Sequence, residues 1–511
     1  TRLNFLASGN GALATLASAK IKIDGSLESD DGKVLAALVG LDRVAAVDAR
    51  PASIMLSGQG PLDGDMGYEF RLTSGGLWAS GEGSARLETG TPKGVARLSL
   101  TASDARALMN AAAPAAMGLA IESKLAFFGR ALTFEDVKAK IAGATVGGQL
   151  SLNLTSPTVV DGRISATDID AAPVLAALIG VPKRPAPDQG AGYPAEPFAR
   201  PLFDDVKGSV SFQAERATLL PGLAAQTLKG RARFAGASFD LADVTGTLAG
   251  GALAADAAFS LVPGGLSVRG RLDLSKGDLA RITFGRSKAP ASGGVSLSLE
   301  LAGTGLSPAA LVGALQGKGT VTLDRAQFDG LDPKAIDAAI RASERGLAPE
   351  RLPGYLGPAL DAGRLTVTSA TGAVAILDGR VRLAPVTVAA DGADVAFAGT
   401  LNLVDSDLDL RFTLSGAPRE EMKGRRPEIS VVLNGPISSP KREVDTSELV
   451  NFVTLRAVER ETKRVEAAER EAKKRAEAAA ALERAERERI ERERATQRVG
   501  PDGAQPKQGD P

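Results

Sequence analysis

The sequence predicts a mainly β protein built on a long, repetitive, antiparallel-rich sheet, and three observations carry that prediction. The first is period-two alternation. Between Phe203 and Leu274, Val210, Phe212 and Ala214 fall on one side, while Ser209, Ser211, Gln213 and Glu215 fall on the other. Such a pattern belongs to strands with one dry and one wet face. The second is punctuation: Gly, Asp and Pro interrupt the run every several residues, as hairpins or a meander require. The third is composition. Aromatic residues make up 4%, there are 58 Gly, and the apolar content rests on Ala, Leu and Val, which suits many thin strands. The expected sheet is curved, with an open hydrophobic groove, short inserted helices and one long charged C-terminal helix.

At 511 residues the chain exceeds one ordinary core, so several domains or a repeat array are expected. The 61 basic and 61 acidic residues cancel, leaving no whole-chain field to attract nucleic acid. The sequence has no Cys and no His, which removes disulfides, thiolate chemistry, the usual zinc sites and imidazole acid–base catalysis. Lack of Cys fits oxidising and reducing compartments alike. No window approaches the roughly 20 apolar residues of a membrane span. Thr1 stands first rather than Met, so a fragment or processed chain is expected, with any N-terminal signal or anchor removed.

Residues 1–180 mix strands with short helices in a recurring order: a strand, a Ser/Asp cluster, then a small Ala/Leu helix. The recurrences are SLESDDGKVLAALVG (26–40), SLTASDARALMNAAA (99–113) and ISATDIDAAPVLAALIG (164–180). Weaker copies are LDLSKGDLARI (272–282) and DGLDPKAIDAAI (329–340). In each, an Asp or Ser can accept from free N–H groups of the first turn. Gly40 and Gly180 stand where a helix C-terminus favours a left-handed residue. Six prolines between Val181 and Leu202 forbid regular structure and mark a linker or long surface loop over 181–202.

Residues 203–440 form the main β region. Gly294–Gly303 reads as a strand, Ser307-Pro308 opens a short helix, Gly319–Phe328 resumes as a strand, and Pro333–Glu344 is a second helix. Strands return from Gly363 to Gly435. Over 441–498 composition shifts to Glu, Arg, Lys and Ala, giving a long helix from about Thr446 to Arg498. Glu483–Arg487 and Glu488–Arg492 are i,i+4 pairs. Only its first turns are amphipathic, through Leu449, Phe452, Val453, Leu455 and Val458, so a solvated helix docked by its N-terminal end is expected. Its a/d positions are too rich in Ala for a strong coiled coil. The tail 499–511 is disordered by composition.

No catalytic constellation emerges. Gly58-Gln59-Gly60 with Gly64, and Gly303-Thr304-Gly305, lack the strand–helix context and following Lys of a phosphate loop, and read as turns. Asp405, Asp407 and Asp409 alternate like calcium ligands. However, Leu410 replaces the needed Gly and no Glu closes the loop, so a solvated strand face is the reading. Asp204-Asp205 and Glu420-Glu421 have no base or nucleophile beside them. An enzyme is not expected, nor any cofactor or metal.

What remains is the repeated apolar strand face. Its candidate groove residues are Val210, Phe212, Phe234, Val295, Leu297, Leu299, Val321 and Leu323, with Val395, Phe397, Leu410, Phe412, Val431 and Leu433 further along. A sandwich or solenoid would bury that face on itself. An open sheet would instead offer it to something greasy, since exposed apolar surface of this extent marks a ligand groove or membrane partner.

The order of elements over about 200–440 resembles the C-terminal region of the AsmA family of bacterial envelope proteins, whose larger relatives include TamB. The resemblance rests on DVKGSVSFQAERATL, LKGRARFAGASFDLADVTGTLAGGALAADAAFSL and GVSLSLELAGTGLSPAALVGALQGKGTVTLDRAQFDGLDPKAI. The last piece has a strand, G-x-S and a short helix, then L-x-G-x-G-x-V-x-L and the turn Gly330-Leu331-Asp332. The resemblance implies a periplasmic protein held in the inner membrane by an N-terminal helix absent from this chain. It also implies a β-groove that passes phospholipid acyl chains toward the outer membrane. Two alternatives stand beside it: a scaffold for outer-membrane protein assembly or targeting to the membrane, working with envelope partners through an exposed strand edge, and a self-packed structural spacer.

Overall fold

The computed structural model describes residues 1–10, 20–38, 50–61, 63–88, 90–103, 118–141, 144–182, 192–284, 286, 289–417 and 426–498. Its core is one open, mainly antiparallel sheet of 23 strands in which each strand pairs with the next in sequence. The first ten are β1 (Arg2–Asn10), β2 (Lys20–Ser29), β3 (Ala52–Pro61), β4 (Met66–Ser74), β5 (Leu77–Glu88), β6 (Thr91–Ala102), β7 (Leu119–Phe128), β8 (Ala131–Ile141), β9 (Ala144–Asn153) and β10 (Thr158–Asp170). Across the middle run β11 (Val206–Leu220), β12 (Leu223–Gly236), β13 (Ser238–Leu248), β14 (Gly251–Val262), β15 (Gly265–Asp278), β16 (Ala291–Gly305) and β17 (Gln316–Asp329). The last six are β18 (Arg364–Leu377), β19 (Arg380–Ala390), β20 (Ala393–Asn402), β21 (Asp407–Gly416), β22 (Glu428–Pro436) and β23 (Lys441–Asp445). The glycines read as turns at Gly58, Gly60, Gly303 and Gly305 lie inside β3 and β16, where extended backbone and no side chain suit a strand as well as a turn.

Among the described residues six α-helices decorate the sheet: α1 (Gly32–Leu38), α2 (Ala171–Ile179), α3 (Pro308–Gly313), α4 (Ala335–Glu344), α5 (Leu352–Asp361) and α6 (Ser447–Arg498). All but α3 arise from one end of the strands, which the registers define through Ser29↔Ala52, Asp170↔Thr218, Asp329↔Arg364 and Ser430↔Asp445. The recurring Ser/Asp–helix text therefore has a place as well as a pattern. At each such junction an Asp carboxylate accepts an N–H two residues on: Asp31 from Lys33 (2.9 Å), Asp170 from Ala172 (3.3 Å), Asp278 from Ala280 (2.9 Å) and Asp332 from Lys334 (2.9 Å). Asp278 heads a 3-10 turn, Leu279–Arg281, rather than an α-helix. Gly180 closes α2 at φ 75°, in the left-handed region. Gly40 and most of the 99–113 copy lie outside the described residues.

A fifth junction, Asp445 before α6, follows the same chemistry: its carboxylate accepts the Ser447 N–H at 3.0 Å. The Ser447 backbone N–H, and then its side chain, hold that carboxyl below the ordinary Asp value. A lowered folded-state value contributes stability above the unfolded value of about 3.9, and that contribution is lost as pH falls through the lowered one. The amides of Leu449–Val453 should accordingly lose hydrogen-exchange protection on acidification below about pH 4, and less so in Asp445→Asn. Equal loss in both proteins would remove Asp445 as the cause.

The 181–202 stretch is not a break in the sheet. β10 and β11 pair in parallel, with Gly162↔Val210 and Ile164↔Phe212 in register, and every other strand pair among the described residues is antiparallel. Parallel neighbours need a crossover connection. Here α2 returns across the sheet, and the Pro-rich stretch completes the loop; of the stretch itself, 183–191 lie outside the described residues. Ala199 N–H donates to Gly180 O and Leu202 N–H to Leu178 O, pinning its far arm to α2.

The largest hydrophobic cluster lies over β17–β22. Leu365, Val367, Val395, Leu414 and Val431 are fully buried beneath Ile336 and Ala339 of α4, Leu352, Leu356 and Leu360 of α5, and Leu449 and Val453 of α6. Helix α5 is an element the sequence reading did not anticipate: Pro353, Gly354, Gly357 and Pro358 argue for a loop. Leu352, Leu356 and Leu360 nevertheless recur at the helical spacing. Burial of each contributes about 1.5–3 kcal/mol, which offsets the poor local propensity. Helix α6 docks as expected through Leu449, Phe452 and Val453, but Leu455 and Val458 point to solvent. Its remaining turns are exposed and carry Glu–Arg pairs, including Glu483–Arg487 at 3.2 Å and Glu488–Arg492 at 3.8 Å.

Candidate functional site

The cross-strand registers place all fourteen candidate residues on one face of the sheet. Val295 opposes Leu323 and Leu297 opposes Val321, while Leu299 opposes Gly319. Phe397 opposes Phe412, Leu410 opposes Leu433, and Phe412 opposes Val431. Phe212 faces Gly230, Val210 faces Ala232, and Phe234 faces Phe239. The apolar face extends well beyond these residues. Through β2–β9 it continues as Ile23, Leu56, Phe70, Leu98, Leu125, Phe134 and Leu150, linked by Leu56↔Phe70, Leu125↔Phe134 and Phe134↔Leu150. Sequence reasoning left this N-terminal part unassigned, although the same alternation runs through Met66–Ser74 and Leu119–Phe128.

What covers the face differs along its length. Val395, Phe397, Phe412 and Val431 lie inside the cluster under α4, α5 and α6, with Leu323, Leu410 and Leu433 at its margin. As open-groove residues the first four are corrected, because the protein's own helices occupy that surface, and so are Val210 and Val295, which are likewise buried among strand side chains. For the four, the cover is α5 and the start of α6, which bring an apolar stripe back onto the strands. A second cluster gathers at the crossover, where Leu175, Leu178 and Ile179 of α2 meet Phe203, Phe239, Phe259 and Leu266. Phe239 stacks with Phe203, Phe234 and Phe259 at centroid distances of 5.9, 5.2 and 5.7 Å. A third, at the opposite ends of the same strands, joins Ala214, Leu228, Leu253, Leu274 and Val295. Phe212, Leu297, Leu299 and Val321 stay partly exposed. So do Ile23, Leu56, Phe70 and Leu72 near the N-terminal edge, and Ile121, Leu125, Phe134 and Leu150 in β7–β9.

The opposite face is polar and self-neutralising. Arg97 pairs with Glu82 (3.4 Å), Lys124 with Asp136 (2.6 Å), Arg271 with Asp273 (2.8 Å) and Lys318 with Glu300 (3.8 Å), all substantially exposed. Exposed pairs of this kind contribute little to stability and serve chiefly to keep that face wet. The Ser298 hydroxyl, followed by Arg271, holds the Asp273 carboxyl below its ordinary range. Asp407 and Asp409 lie in β21 on this face, whereas Asp405 sits in the preceding turn and accepts from Asn402 at 2.7 Å. The three acids therefore share no strand face. A hollow of about 800 Å³ over β2–β8 is bordered by Glu69, Glu82, Arg97, Lys124 and Glu135 and touches none of the fourteen candidates.

Chemically, the apolar face offers dispersion and dry surface with almost no hydrogen-bonding groups. Among the described residues no helix is long and apolar enough to cross a membrane. No protein-family profile, curated protein or solved structure matches this chain.

Proposed function

We propose that this chain is a non-enzymatic protein of the bacterial envelope, of the AsmA type, that holds phospholipid acyl chains along the apolar face of its sheet. The observation that carries the reading is the register-linked apolar face, whose large side chains stay partly exposed over most of its length. Interior strands commit their backbone groups to the ladder, and the face is aliphatic or aromatic. A peptide laid there would bury its amides unpaired, at a cost of about 1–3 kcal/mol each. An acyl chain carries no such groups and gains about 0.8 kcal/mol per buried methylene. Headgroups would remain in water. On this reading the protein works in the periplasm, between the inner and outer membranes, and its order of elements from Phe203 to Pro440 supports that assignment.

The test is lipid extraction. Purified protein should carry phospholipid detectable by native mass spectrometry, and Leu299→Asp should lower the amount several-fold while leaving the far-UV circular dichroism spectrum intact. A lipid-free preparation of the unaltered protein would sink the proposal. Phe412 is unsuited to this test, because it is 3% exposed beneath the helices.

The scaffold reading has one observation of its own. Among the described residues β1 pairs only with β2, and its Leu3, Phe5 and Leu6 are 69%, 67% and 64% exposed. By contrast β23, at the other edge, is five residues long and reads KREVD, a blunted edge. A protein captured by crosslinkers on β1, together with a lipid-free extract, would favour that reading.

A further inference from the structure

One row of the apolar face can be followed from strand to strand, its one polar member being the buried Ser123 opposite Leu98 on β7. It passes through Leu56, Phe70 and Leu98, then Val137 and Ile164. It continues through Phe212, Val244, Leu272 and Leu299, and then Val374, Leu383, Leu410 and Leu433. Every large side chain in this row is partly exposed, whereas the fully buried clusters lie to either side of it. At about 4.8 Å per strand the row is on the order of 100 Å long.

Its width varies. On β6 two successive face positions, Leu98 and Leu100, are partly exposed, and on β14 so are Ala255 and Ala257. On β11 there is one: Phe212, between buried Val210 (8%) and Ala214 (6%). On β12 there is again one: Gly230, between buried Leu228 (9%) and Ala232 (8%). The row is equally narrow at Val374 on β18, between buried Gly372 and Ile376, but the point at Phe212 sits beside the parallel pairing, where the α2 crossover and Phe203 close the face on one side. The Phe212 ring lies over Gly230, so closely that a Cβ there would meet Cζ of Phe212 at 2.8 Å. The ring packs against the buried clusters on both sides of the row, and Gly230 leaves it without a side chain beneath.

We infer that Phe212 over Gly230 is a gate, one residue wide, that controls the passage of acyl chains between the N-terminal and C-terminal halves of the apolar face. The inference rests on the lipid reading and adds a controlling residue to it. Chains held on β13–β22 reach β2–β10 only past this ring. A smaller residue at 212 widens the lane, and a larger one fills the space that Gly230 leaves.

The experiment gives lipid one entry side. Full-length protein with a C-terminal hexahistidine tag is tethered to vesicles of phosphatidylethanolamine and phosphatidylglycerol that contain a nickel-chelating lipid and a labelled phospholipid. A photoreactive phenylalanine analogue replaces Leu299 in one preparation and Leu98 in another, and the ratio of label captured at 98 to that captured at 299 is read. Phe212→Ala should raise this ratio and Phe212→Trp should lower it, the two differing by roughly tenfold, equivalent to about 1.4 kcal/mol in the barrier. Capture at both positions with a ratio unmoved by either variant would overturn the gate and leave lipid binding standing. Capture at neither position in the unaltered protein would overturn lipid binding and the gate together.

Discussion

Replacing Val395 with Asp should unfold the C-terminal third of the sheet or cost it several kcal/mol, because an unpaired carboxylate in a dry cluster carries a desolvation penalty of that order. Val395 is 0% exposed, opposes Leu414 in register, and lies under Ile336, Leu356 and Leu449 in a cluster of apolar side chains. The matched substitution Leu98→Asp, on the partly exposed row, lets its carboxylate reach water and should cost only about 1–2 kcal/mol. Urea denaturation of both proteins, followed by circular dichroism, gives the comparison. Equal losses at the two positions would mean that the helices do not seal the C-terminal face as the structure has them, and the division into covered and uncovered tracts would fall.

Gly208→Ala should be nearly as damaging. Gly208 lies in β11 at φ 114°, a conformation an L side chain rarely adopts, and a Cβ there would sit 1.9 Å from the Val160 carbonyl oxygen on the neighbouring β10. Neither backbone can retreat without breaking the parallel ladder that joins Val160↔Gly208 and Gly162↔Val210. Strain at positive φ costs about 1–2 kcal/mol and the clash a further 1–3 kcal/mol or so. The expected result is a lowered midpoint of thermal unfolding, with the amides of β10 and β11 losing hydrogen-exchange protection first. Undiminished protection in those two strands would show that the junction tolerates a side chain and is looser than the register implies.

Much of the fold could be read from the residues because it is local. Alternation in Val210–Ala214, Val295–Leu301 and Leu408–Leu414 names both the strands and the face they share, and since each strand pairs with its successor, no long-range choice of partner was needed. The Asp-led junctions were equally legible, since a cap depends on a few neighbouring residues. Two things were hidden, both matters of distant packing. Six prolines between β10 and β11 speak of irregular backbone but not of its return path, so the parallel crossover read as a linker. In Leu352–Asp361, Pro and Gly outweighed the Leu352, Leu356, Leu360 stripe, and without that helix the face over β17–β22 looked open. Four candidate residues, Val395, Phe397, Phe412 and Val431, were placed on the correct face, but their cover could not be foreseen. The narrowing at Phe212 depends on which neighbours are buried, and alternation alone carries no such information.

The unbroken succession of neighbours also bears on how the chain acquires its structure. Most pairings close over a connection of a few residues, so the entropy lost at those steps is that of a short loop and the sheet can lengthen strand by strand as it is synthesised. Stability in such an array is approximately a sum over adjacent units rather than one all-or-none quantity. Two connections are far longer, Asp170 to Val206 and Asp329 to Arg364, and of these only the β10–α2–β11 crossover must also carry the chain back to pair in parallel. Growth should therefore pause there, and a chain arrested at Asp170 would present β10 as an unsatisfied edge, open to mispairing until the crossover arrives.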